Sequence, residues 1–177
     1  PEADFILIGE VSAHENLLEK QSNIFLLGEK PYEEIPSFLQ TFDVALIPFD
    51  ASIELIKATN PVKFYEYLSA AKSIVATEIP ELSPYKDKLV YLSNDNEEFV
   101  RYIKLCLDKK DTLADAEEKV RFAKANDWSN RFVEFKTLIR QAHPMVSIVV
   151  LSFNNHKYTL ASLKSIVDKT AYPNYEI

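Results

Sequence analysis

The sequence predicts an α/β protein on a doubly wound, Rossmann-like parallel sheet with helices on both faces. Short, nearly continuous apolar runs of the kind that form buried parallel strands occur at Asp4–Gly9, Asn23–Gly28, Val44–Pro48 and Ser73–Thr77. Stretches with helical periodicity stand between them. Strands and helices alternating at these lengths imply one parallel sheet wound in both directions.

Taken in order, Asp4–Gly9 is the first strand, and Ser12–Lys20 reads as a helix with Ser12 and Glu15 at capping-box spacing. Asn23–Gly28 repeats the strand-then-glycine form. Pro31–Phe42 is a helix with Ile35, Phe38, Leu39 and Phe42 on one face. Val44–Pro48 is a strand, and Asp50–Thr59 is a loop with a short helical piece. Asn60-Pro61 opens a helix to about Ala71, with the proline expected at the first helical position. Ser73–Thr77 and Leu89–Leu92 are strands. Asp95–Leu107 is a helix whose first turn is acidic, as the helix dipole favours. Helices follow at Thr112–Ala125 and Ser129–Ala142.

Composition narrows the function. The 177 residues suffice for one well-cored domain and an appendage. A formal charge of −7, with no basic run, argues against a nucleic-acid surface. The chain opens on PEADF without a basic and apolar leader, and no stretch approaches the roughly 20 apolar residues of a membrane span. Cys106 is the single cysteine, which suits a reducing compartment, so the expected location is cytoplasmic. With only Gly9 and Gly28 in the chain, no glycine-rich phosphate loop can form. His14, His143 and His156 lack ligand spacing, so no metal site is expected. Glu33-Glu34 and Glu97-Glu98 are adjacent pairs that diverge on a helix, which argues against a catalytic dyad. Cys106 reads as core.

The central segment, Asn60–Glu81 (NPVKFYEYLSAAKSIVATEIPE), places Lys63 and Glu66 on one helix face. A cation beside a carboxylate near a helix N-terminus suits a ligand with both a phosphate and a sugar diol. Spacing alone favours a solvated glutamate paired with the lysine. The segment resembles the donor-binding helix of the GT-B glycosyltransferases of the group 1 or family 4 type, whose pattern is close to P-x-K-x-x-E-Y-L-A-x-G-K-P-V-V-A-T. Pro61, Lys63, Glu66, Tyr67, Leu68, Lys72, Val75, Ala76 and Thr77 match, while Ala71 replaces the glycine and Ser73 the proline.

The resemblance implies that residues 1–142 are a GT-B C-terminal donor-binding domain lacking its first strand and helix. It implies Glu66 as the ribose ligand, Lys63 as the diphosphate ligand, and the Gly28–Lys30 turn against the base. The family's acidic donor-sugar contact falls on Ala58, so that contact moves to Thr59 or Asn60. The substrate would be a nucleoside-diphosphate sugar and the acceptor a glycan or lipid-linked glycan, with no metal cofactor in this part. The opposite domain would supply much of the catalytic machinery, so no catalytic base is assigned and the isolated piece is expected to be inactive. The competing reading is a degenerate, non-catalytic nucleotide-binding scaffold.

From His143 the pattern changes. Met145–Phe153 (MVSIVVLSF), Asn154-Asn155, a helix carrying Leu160, Leu163, Ile166 and Val167, and Tyr172–Ile177 (YPNYEI) resemble the opening of a GT-A family 2 glycosyltransferase. Residues 143–177 would then be the first β-α unit of such a domain. The absent first strand of the GT-B part belongs mid-sheet, and unpaired backbone there costs about 1–3 kcal/mol per buried group. Val146–Leu151 is expected to fill that slot, within one chain or in a strand-swapped homodimer. Direct closure of the neighbouring strands is the alternative.

Overall fold

A computed structural model describes residues 3–11, 18–142 and 144–177. Most of the helix expected over Ser12–Lys20 lies outside the described residues, as do His14 and His143. The chain divides into two compact units, one ending at Asn126 and the other beginning at Asp127. The helix at 128–142 groups with the later residues, whereas the sequence reading closed the first domain at 142.

The first unit is a mixed α/β structure of parallel sheets flanked by helices, compatible with a Rossmann-like fold. Strands β1 (Phe5–Leu7) and β2 (Ile24–Leu26) pair in parallel. Strands β3 (Val44–Ile47), β4 (Ser73–Ala76) and β5 (Tyr91–Leu92) form a second parallel sheet in that order. A 3-10 turn at Tyr32–Glu34 leads into α1 (Ile35–Thr41). A single helical turn, α2 (Glu54–Lys57), interrupts the loop after β3. Helix α3 (Val62–Ser69) precedes β4, and α4 (Asn96–Leu107) and α5 (Ala116–Ala125) follow β5.

The alternation of side chains along β3 to β5 divides the core between two faces. Ile47, Ile74, Ala76 and Leu92 pack with Phe64 and Leu68 of α3 and Ala123 of α5. Val75 and Tyr91 point the other way, onto Ile103 and Cys106 of α4. Two carboxylates start the later helices as expected of N-caps: Asp95 accepts from Glu98 N and Asp115 from Glu118 N, each at 2.8 Å.

Several boundaries differ from the sequence expectation. Pro61 is the cap residue of α3 rather than its first helical residue. Residues 112–115 stay out of α5 because Asp115 caps it, and the backbone N–H of Thr112 instead donates to the Tyr91 hydroxyl at 2.9 Å.

The sheet itself is the larger departure. β1 and β3 share a hydrophobic cluster through Phe5, Val44 and Leu46, yet they belong to separate hydrogen-bonded sheets. Direct closure is therefore not what the chain adopts. Nor does Val146–Leu151 fill the slot within the chain. Only Val146–Ser147 is a strand (β6), and it pairs in parallel with β7 (Tyr175–Glu176). The intervening helix α7 (His156–Lys169) makes this a local β-α-β crossover, which closes a much shorter loop than pairing with β1 or β3 would. Val149, Leu151 and Phe153 remain exposed beyond it. Helix α6 (Trp128–Ala142) opens this second unit, with Asp127 Oδ1 accepting from Asn130 N at 2.8 Å.

Ala71, at the position where the resembling pattern has glycine, adopts a φ of 57°. Lys72 N donates to Tyr67 O and Ala71 N to Leu68 O, the paired bonds of a Schellman ending to α3. A left-handed alanine costs about 1–2 kcal/mol relative to a right-handed one. Ala71→Gly should therefore stabilise the protein by about 0.5–1 kcal/mol once glycine's greater unfolded freedom is subtracted. The check is the urea midpoint, which should rise at unchanged slope. A lower midpoint would contradict the left-handed geometry.

Candidate functional site

The loop after β2 meets the middle of α3 at one member of the expected donor set, Glu66. Gly28, with φ 65°, ends β2's extension, and its carbonyl accepts from Gly9 N at 2.9 Å. The turn through Lys30 then delivers Tyr32, whose hydroxyl donates to Glu66 Oε1 at 3.0 Å. The hydrogen bond to Glu66, with that carboxylate's negative charge, holds the Tyr32 phenol above its ordinary pKa. Burial, reinforced by the same carboxylate, raises that of Tyr67.

Tyr32, Ile35, Pro36, Leu39 and Gln40 on one side and Glu66, Ser69 and Ala70 of the α3 end on the other line a cavity of about 190 Å³. Tyr32 was not singled out from the sequence. Its only local signal is its place just after the Gly28–Pro31 turn, and the contact spans 34 positions.

The other expected residues are placed differently. Lys63 is exposed on the first turn of α3, does not line this cavity and makes no ion pair with Glu66 among the described residues. Asn60 Nδ2 donates to Glu81 Oε1 at 2.9 Å, and Thr59 Oγ1 to Leu55 O at 2.8 Å. Lys72, which also matches the motif, has a structural task. Its Nζ donates to the carbonyls of Gln40 and Phe42 at 2.9 and 2.7 Å, satisfying the C-terminal end of α1.

Among the described residues no three His, Cys, Asp or Glu side chains form a group that could hold a metal ion. No described helix is long and apolar enough to cross a membrane. Cys106 is buried, and desolvation pushes its thiol up to about 12.

No protein-family model matches the chain. Over 127 residues, 70% of this chain, it is 26% identical to a Bacillus subtilis (strain 168) protein described as "Putative teichuronic acid biosynthesis glycosyltransferase TuaH". The matched region covers 31% of that protein's length. This distant similarity supports a glycosyltransferase relationship.

Proposed function

We propose that this chain contributes the nucleotide-sugar donor half of a glycosyltransferase of the GT-B type, acting in the synthesis of a surface polysaccharide. The observation that carries the reading is the Tyr32–Glu66 contact, which joins the loop after β2 to the middle of α3 at a cavity. With Oε1 held by Tyr32, the remaining carboxylate oxygen of Glu66 is the acceptor for a ribose diol. The Gly28–Lys30 turn offers backbone groups to the base. Lys63, on the exposed first turn of α3, supplies a compact positive charge for the diphosphate, and the helix N-terminus adds to it. Such a cation stabilises negative charge developing on a leaving nucleoside diphosphate. Thr59 and Asn60 would meet the sugar only after exchanging their present hydrogen bonds.

Calorimetric titration with UDP, GDP and their sugars tests this. One nucleotide should bind, and Glu66→Ala should weaken it by about tenfold or more, the loss expected for a hydrogen bond to a charged group. Lys63→Ala should weaken diphosphates but not the nucleosides. Absence of binding to every nucleotide would overturn the proposal in favour of a scaffold domain.

A further inference from the structure

The two parallel ladders of the first unit both end in unused backbone. Phe5 N donates to Asn23 O and Leu7 O accepts from Leu27 N, so these residues serve β2 and the backbone groups of Ile6, between them, face the other flank. On β3, Ile47 O accepts from Thr77 N, which puts Ala45 and Ile47 on the β4 side and turns the groups of Val44 and Leu46 the opposite way. Among the described residues neither of these flanks has a hydrogen-bonded strand beside it. Phe5, Val44 and Leu46 nevertheless pack against one cluster, with Val75 and Ile103, and no residue of β2 joins it. The open flank of β1 therefore looks toward that of β3, and the two border one slot.

A strand in that slot must be apolar on both faces, because β3 turns Val44 and Leu46 to one face and the buried Ala45 and Ile47 to the other. It must be about as long as the three residues of β1. The second unit carries such a run unused. Val149–Leu151 (VVL) follows directly on β6, past the point where Ile148 N donates to Glu176 O at 2.8 Å. Val149 and Leu151 are 81% and 94% exposed, and the backbone of all three residues has no hydrogen-bond partner among the described residues. Alternation would send Val149 and Leu151 to one face of the slot and Val150 to the other.

In its own chain the run stays with the local β6–α7–β7 crossover, and the slot stays open. A second copy brings the same run and the same slot. Reciprocal exchange satisfies both flanks in both copies and closes on a two-fold axis, whereas one-way donation leaves a free slot and a free run that propagate. We propose that the slot between β1 and β3 is an interaction surface for Val149–Leu151 of a second copy of this chain, exchanged reciprocally in a homodimer. The exchange does not depend on nucleotide binding, so it stands or falls apart from the donor-site reading.

The test is sedimentation velocity of the 177-residue chain over a wide range of concentration, paired with amide hydrogen exchange. Monomer and dimer should be resolved, with the dimer growing as concentration rises. Leu151→Lys changes a side chain that is exposed in the single copy, so that copy keeps its fold. It should raise the dimer dissociation constant by about tenfold or more, because the slot would bury an unpaired ammonium. The amides of Ile6, Val44 and Leu46 should gain protection as the dimer forms and lose it in Leu151→Lys. A monomer at every concentration, open-ended oligomers in place of a dimer, a dimer that Leu151→Lys leaves undiminished, or a dimer whose Ile6, Val44 and Leu46 amides exchange as in the monomer would each overturn the proposal.

Discussion

Phe64→Ala is expected to cost about 3–5 kcal/mol, the range for emptying a large aromatic site in a packed core. Phe64 is fully buried at the centre of an aromatic cluster. Its ring stacks on Tyr85 at 5.3 Å and meets Tyr65 and Phe122 edge-on at 5.2 and 6.2 Å. It therefore pins α3 to α5 and to the 3-10 turn at Ser83–Tyr85. Domains are stable by only about 5–15 kcal/mol, so the variant should be at or near the unfolding threshold at 37 °C. Urea titration followed by circular dichroism reads the loss. Phe64→Leu, which keeps most of the volume, should cost clearly less. Equal stability of Phe64→Ala and the parent would mean that α3 is not held by this cluster.

The second large effect concerns Lys119, only 4% exposed beside the first residue of β4. Its Nζ donates to Ser73 Oγ at 3.2 Å, and Ser73 Oγ donates to Asp111 Oδ2 at 2.8 Å. Asp111→Ala removes the carboxylate that does most to offset the burial of this ammonium and should cost about 2–4 kcal/mol. Lys119→Met removes the buried charge itself and should stay within about 1 kcal/mol of the parent. The order of the two costs is the informative part.

Titration supplies an independent reading. Burial lowers the Lys119 pKa from its ordinary 10.5, although Asp111, Cys106 and Asp115 oppose the shift. The unfolded chain thus keeps this proton to higher pH than the folded one. Stability should rise with pH between the depressed folded value and 10.5. Lys119→Met should lack that increment, measured as the difference between the two pH–stability curves. Identical curves would mean that the lysine is solvated.

How far the sequence could be read depended on the range of the interactions. β3 and β4 were legible because VALI and SIVA are nearly unbroken apolar runs, buried or half-buried on both faces. α4 was legible because Asp95 and its acidic first turn are local signals. The run MVSIVVLSF misled by the same logic. Its β-branched residues favour extended backbone, but a strand needs a partner, and β7 offers only Tyr175 and Glu176. At the site, Glu66 stood out through its motif, whereas Tyr32 belongs to a contact that only the tertiary fold creates. Lys72 shows the converse. It matched the motif, but its carbonyl-capping role is visible only in the fold.

The break between β1 and β3 bears on handling as well as on fold. Among the described residues, each of these two strands has a hydrogen-bonded neighbour on one flank only. Unpaired strand margins of this kind act as templates for adventitious strands. Concentrated stocks of the polypeptide are thus liable to seed filaments, and additives that occupy backbone amides should delay precipitation more than added salt does.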